Sequence, residues 1–138
     1  MLPLLLDTCA VIWVGNRDPI AAEAEAELEA AAQSGNVLVS PISAWEIGIA
    51  VSRRKAPLVL RPDVEIWLEN FIRRPGVRIA ALAPQAALAA SLLPTGLPSD
   101  PADRLLVAQA RELDVPIVTR DRRILDYAER GHVRALAC

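Results

Sequence analysis

Asp7, Glu46, Asp103 and Asp121 are far apart in the chain, yet each holds a position that an alternating strand–helix fold would carry to one place. Asp7 ends the apolar run Leu2-Pro3-Leu4-Leu5-Leu6, and Asp121 follows Pro116-Ile117-Val118-Thr119. The carboxyl ends of strands are where open α/β sheets bind ligands. Glu46 lies in the helical segment Ile42–Ile49, at the edge of a face made by Ile42, Trp45 and Ile49, and is not placed to cap the helix start. An unpaired carboxylate beside a core costs on the order of several kcal/mol. Asp103 has Leu106, Val107 and Ala110 at i+3, i+4 and i+7, an inward line of its helix, and it sits in the first turn, where the helix dipole favours an anion. Carboxylates gathered this way repel one another unless a divalent cation neutralises them. An oxygen-only donor set suits Mg²⁺ or Mn²⁺ and not zinc. The chemistry implied is metal-dependent hydrolysis.

Each acid also has a local explanation. Asp7 and Asp121 can cap the helices that follow them, Asp103 can assist a cap, and Glu46 can be a solvated flank beside Trp45. Asp100, just before Pro101, is the natural cap of the helix carrying Asp103, with at most a supporting place near the site. Thr8 and Thr119 stand beside the acids and can hydrogen-bond a carboxylate or a water. The single histidine, His132 next to Gly131, argues against a His-pair nuclease and against Ser or Cys nucleophiles with a His base. A phospho-acceptor receiver needs a Lys after a late strand, whereas Lys55 follows a helix. A haloacid dehalogenase-type phosphatase needs Asp-x-Asp after the first strand, where this chain has Asp7-Thr8-Cys9.

The elements that must position these residues alternate along the chain. Strands are expected at Leu4–Leu6, Val37–Val39, Val77–Ala80, Pro116–Thr119 and Val133–Leu136. Helices are expected at Asp7–Val14, from a cap at Asp18-Pro19 to Ser34, at Pro41–Arg53, Asp63–Ile72, Gln85–Leu92, Asp100–Leu113 and Arg122–Glu129. This order predicts an α/β, three-layer fold with a mostly parallel sheet flanked by helices. The length of 138 residues and a hydrophobic fraction of 53% suit one domain over 1–138 with a real core. Val64, Trp67, Leu68 and Phe71 fall at helical spacing and read as core packing, with a groove or dimer face as the other role.

Net charge is −2, so the chain is no strong overall nucleic-acid binder, and any phosphate contacts are local. Lys55 is the single Lys among the fifteen cations. Arg grips phosphate bidentately, although the Arg, Ala and Pro content also fits coding bias. Arg104 and the Arg53-Arg54 pair are candidates to hold a nucleic-acid backbone, with a solvated helix end as the plainer role for Arg53 and Arg54. Cys9 reads as a small buried residue and Cys138 as a loose end; they form no disulfide framework. The opening apolar run is too short for a signal peptide, no run is long enough to span a membrane, and a cytoplasmic protein is expected.

Four segments in order resemble the PIN-domain ribonucleases, and most closely the VapC-type toxins of toxin–antitoxin pairs. They are Leu4-Leu5-Leu6-Asp7-Thr8-Cys9-Ala10, Ser40-Pro41-Ile42-Ser43-Ala44-Trp45-Glu46-Ile47, Asp100-Pro101-Ala102-Asp103-Arg104-Leu105-Leu106-Val107-Ala108-Gln109-Ala110, and Val118-Thr119-Arg120-Asp121. The resemblance implies a metal-dependent endoribonuclease toxin with Asp7, Glu46, Asp103 and Asp121 holding Mg²⁺ or Mn²⁺, and with Thr8 and Thr119 near the site. It also implies a homodimer, a VapB-like antitoxin whose tail blocks the acids, and an RNA substrate cut in single-stranded loops. The competing expectation is a non-catalytic binding module or scaffold that keeps the fold.

Overall fold

Leu4-Leu5-Leu6, Val37-Leu38-Val39 and Ile117-Val118-Thr119 have no polar face, so their strands must be covered on both sides. The computed structural model, which describes residues 3–138, has them so. β1 (Leu4–Leu6), β2 (Val37–Val39), β3 (Val77–Ile79), β4 (Ile117–Thr119) and β5 (Ala135–Ala137) form one sheet in the order β3-β2-β1-β4-β5. Every neighbouring pair is parallel, so the sheet expected to be mostly parallel is wholly so.

Side chains alternate across the sheet. Leu5 is in register with Leu38 and with Ile117, and these three face one core with residues of α5 (Pro84–Ser91), α6 (Pro101–Leu113) and α7 (Arg122–Glu129). Leu4, Leu6, Val37, Val39 and Val118 face the other, beneath α1 (Thr8–Asn16), α2 (Ala22–Gln33), α3 (Pro41–Val51) and α4 (Val64–Ile72). Trp67 and Phe71 of α4 are buried in this second core, their rings stacked at 5.8 Å, as the core-packing role requires. Burying each such large side chain is worth about 1.5–3 kcal/mol against leaving it exposed.

The strand order dictates where a ligand can enter. From β1 the chain moves outward through β2 to β3, then crosses back to place β4 on the other side of β1 and β5 beyond it. The order therefore reverses between β1 and β4, and the crevice outside their carboxyl ends is the topological switch point.

Several expectations are corrected in detail. Asp18-Pro19 does not open α2. The Asp18 N–H donates to the Trp13 carbonyl and closes the end of α1, and α2 begins at Ala22 without a side-chain cap, its first turn carrying Glu23 and Glu25 at the positive end of the dipole. α3 does not bury the face of Ile42, Trp45 and Ile49. Its buried line is Ser43, Ile47 and Ala50, while Trp45 is 57% and Ile49 46% exposed. The last strand is shifted to Ala135–Ala137, and the Cys138 N–H donates to the Thr119 carbonyl at 3.1 Å. Cys138 is thus buried and not a loose end, whereas Cys9 is exposed.

Candidate active site

Each acid is placed by a local rule and turned inward by the fold. Asp7 leaves β1 in an extended conformation and caps α1, its Oδ1 accepting from the Ala10 N–H at 2.8 Å. Its Oδ2 accepts from the Thr119 hydroxyl at 2.5 Å, across the β1–β4 boundary. Thr119 Oγ1 in turn accepts from the Asp121 N–H at 3.0 Å, so one fully buried hydroxyl ties the two strand-end acids together. Asp121 caps α7 through the Arg123 N–H at 2.8 Å. Asp103 lies in the first turn of α6, its N–H capped by Asp100 at 3.0 Å. Glu46 projects from α3 and accepts a short hydrogen bond from the Thr8 hydroxyl, which also lies 3.2 Å from Ser43 Oγ. The caps expected as local alternatives for Asp7 and Asp121 are therefore real, and they coexist with a shared site.

That site is a cleft of about 310 Å³ lined by all four acids, with Trp13 and Arg120 on its wall. Its electrostatics record the crowding. Burial pushes Asp103 up to about 6, with Asp100 and Asp121 adding to the rise and Arg123 opposing it. Burial also raises Asp7, against the hydrogen bonds from Thr119 and Ala10, and raises Glu46 against the bond from Thr8. Asp121 alone of the four is lowered, chiefly by its hydrogen bond from Arg123. The Arg123 guanidinium bridges Asp121 Oδ2 at 2.8 Å and Asp103 Oδ2 at 3.3 Å. The sequence leads one to expect the acids drawn directly onto a common cation. Here they line one cleft with Arg123 between two of them, and among the described residues no three His, Cys, Asp or Glu side chains are gathered in metal-coordinating geometry.

The other predicted residues divide. Thr8 and Thr119 are at the site, and exposed Asp100 is close enough to raise both Asp103 and Glu46. Arg104 is turned away from it, donating to the carbonyls of Ala90 at 2.9 Å and Leu97 at 3.3 Å, where it braces α5 against the loop before α6. Arg53 and Arg54 are exposed in the bend after α3 and do not line the cleft. The arginines beside the acids are Arg120 and Arg123, which sequence reasoning passed over. Their signal was their position on either side of Asp121, one at the end of a strand and one in the first turn of a helix.

Residues 4–130 match the family model for the PIN domain. The chain belongs to the PIN-domain family. This PIN domain is 31% identical over 128 residues to Ribonuclease VapC22 of Mycobacterium tuberculosis, an alignment that spans 92% of this chain and 93% of that protein. Its fold is similar to the VapBC2 complex of Rickettsia felis bound to a promoter DNA fragment, with a TM-score of 0.71 and 18% identity over 99% of this chain and 98% of the other. DNA-bound VapBC of Salmonella typhimurium gives a TM-score of 0.71 and 19% identity over the same shares.

Proposed function

We propose that this PIN domain, acting as one unit over residues 1–138, is a divalent-metal-dependent endoribonuclease and the toxin half of a toxin–antitoxin pair. The observation that carries the reading is the meeting of Asp7, Glu46, Asp103 and Asp121 in one cleft at the β1–β4 switch point. The ribonuclease name of the 31%-identical relative supports the reaction class.

The donor chemistry fits a hard cation. The side-chain acids of the cleft offer carboxylate oxygens alone, and Asp103, raised to about 6 first by burial and then by the charges of Asp100 and Asp121, is a carboxyl whose ionised form a bound cation would favour. Asp7, Glu46, Asp103 and Asp121 would hold Mg²⁺ or Mn²⁺. When bound, such an ion lowers the pKa of a coordinated water and polarises a phosphoryl oxygen. The chain's own residues do the rest. Thr119 and the Ala10 N–H fix the two oxygens of Asp7, and Thr8 fixes Glu46 Oε1. Among the described residues Glu46 Oε2 accepts no hydrogen bond, and it would accept the proton of the attacking water. Arg123 offsets part of the charge of Asp103 and Asp121. Water attack at phosphorus leaves a 5′-phosphate and a 3′-hydroxyl and needs no RNA 2′-hydroxyl. Single-stranded loops are the physically sensible target.

A VapB-like antitoxin and a second copy of the chain are the proposed partners. Exposed Trp45 and Ile49 flank Glu46 on α3, and exposed Leu88 and Leu92 lie on α5 and just past its end, apolar surface of the kind that partners cover.

The test is incubation of the purified chain with a structured RNA and Mn²⁺, with end analysis of the products. Expected are 5′-phosphate ends, loss of cleavage in Asp103→Ala, and a Mn²⁺-dependent rise in melting temperature that Asp7→Asn abolishes. Products with 2′,3′-cyclic phosphate would overturn the mechanism. RNA binding with no turnover would favour the non-catalytic module.

A further inference from the structure

The wall of the cleft holds a cation that the metal chemistry does not use. Arg120 follows Thr119 and immediately precedes Asp121, so the chain that sets the strand-end acids also sets this guanidinium. Its Cζ lies 3.7 Å from the centroid of the Trp13 ring. Its Nε and Nη2 donate to the backbone oxygen of Cys138 at 3.2 and 3.0 Å, and Nη2 reaches the Pro19 carbonyl at 3.5 Å. The group is therefore held from three directions, by a ring, by the end of β5 and by the segment leading into α2. Trp13 is itself packed against the core beneath α1, so the stacking surface is rigid.

What this bracing leaves free decides its use. The contrast with Arg123 is direct, since Arg123 is paired with Asp103 and Asp121. Among the described residues Arg120 makes no ion pair with a side-chain carboxylate, and its Nη1 has no hydrogen-bond partner. A guanidinium has five N–H donors, and two of them, on Nη1, remain available beside an acidic cleft. Four carboxylates repel a polyanion, and a fixed positive charge on their rim offsets the repulsion where the backbone of a nucleic acid must pass.

We propose that Arg120, held over the Trp13 ring, is the residue that binds a non-bridging phosphate oxygen of the RNA beside the scissile bond. Trp13 is a positioning residue that acts through Arg120. This assignment rests on the ribonuclease reading of the same cleft and adds to it the group that seats the substrate. The cation–π contact with Trp13 and a fixed donor fork distinguish the role from that of a general surface charge, and an ammonium on a flexible stem would reproduce the charge without the geometry.

Binding is best measured in a chain that does not turn over. A fluorescently labelled single-stranded RNA is titrated into Asp103→Asn and into the same background carrying R120Q, R120K, W13F or W13L, at several salt concentrations with Mn²⁺ present. Gln keeps a donor for the Cys138 oxygen while removing the charge. R120Q is expected to raise Kd about tenfold and to reduce the slope of log K against log salt by about 0.7, the value for one phosphate contact on a single strand. R120K is expected to keep the slope and lose affinity, and W13F to fall between wild type and W13L, because Trp is the stronger cation–π partner. In the otherwise wild-type chain, R120Q should keep the Mn²⁺-induced rise in melting temperature. An unchanged Kd and salt slope in R120Q would overturn the proposal, as would loss of the Mn²⁺ response, which would place Arg120 in the metal site instead. A wild-type chain that fails to cleave RNA would remove the ribonuclease reading while leaving a positive binding result intact.

Discussion

Replacing Thr119 by Val tests the hydroxyl that joins the two strand-end acids. The side chains are nearly isosteric, and Thr119 is 0% exposed, so packing is preserved and the hydroxyl alone is lost. Two hydrogen bonds go with it, the donation to Asp7 Oδ2 at 2.5 Å and the acceptance from the Asp121 N–H at 3.0 Å. A hydrogen bond to a charged group is worth about 1.5–3 kcal/mol, and the orphaned N–H adds about 1 kcal/mol, reduced because Asp121 is only half-buried. The expected loss at pH 7 is about 3 kcal/mol, or a fall of roughly 10 °C in Tm for a chain of this size.

The loss should depend on pH with a definite sign. Burial already raises the folded-state pKa of Asp7 above its ordinary value, and the Thr119 bond opposes that rise. Removing the bond raises it further. A carboxyl whose folded pKa exceeds its unfolded one binds more protons when folded, so stability falls as pH rises through that window. The deficit of Thr119→Val is therefore larger at neutral pH and shrinks toward acid pH, as Asp7 takes up its proton in both chains. Urea titrations at pH 4 and pH 7 in the absence of metal measure it, with Thr119→Ser as the variant that keeps the hydroxyl. A deficit that is the same at both pH values would refute the reasoning, because the lost donor would then not be serving a buried charge.

Two further perturbations follow from the same structure. Asp103 is pushed up to about 6 from 3.8, so the metal-free chain should lose stability as pH rises from about 4 to 6. Screening at a side chain 21% exposed leaves about 1–2 kcal/mol of the ~3 kcal/mol the shift represents, and Asp103→Asn should flatten that slope and exceed wild type in Tm at pH 7. Gly48 lies within α3 with open space where a Cβ would go, so Gly48→Ala should raise stability by about 0.5–1 kcal/mol in denaturant titrations; a decrease would mean that α3 packs there against something the chain does not itself supply.

Much of the framework was legible because it obeys local rules. The capping acids Asp100 and Asp121 stand one residue before their helices, and α7 begins and ends where its pattern says. Local rules also explain the errors. Asp18-Pro19 has the form of a helix start, but its N–H was needed to close α1, a demand set by the preceding turn. Trp45 and Ile49 look like a core face because they are large and apolar, yet the smaller Ser43 and Ala50 lie inward with Ile47, where α3 comes close to its neighbours. Arg104 stands beside Asp103 in sequence, but on a helix successive side chains diverge by about 100°, and this one reaches Ala90 and Leu97.

From the order of residues alone came the alternating elements and the four acids that line the cleft, because periodicity and capping are carried by neighbours along the chain. The tertiary structure alone decided that β1 and β4 lie side by side, that one threonine links their acids, that Arg123 bridges Asp103 and Asp121, and that Arg120 rests on Trp13. Those contacts join residues up to 112 positions apart, and their geometry depends on how two faces of a sheet are packed. No spacing within a sequence encodes such a distance; it is settled only when both cores are closed.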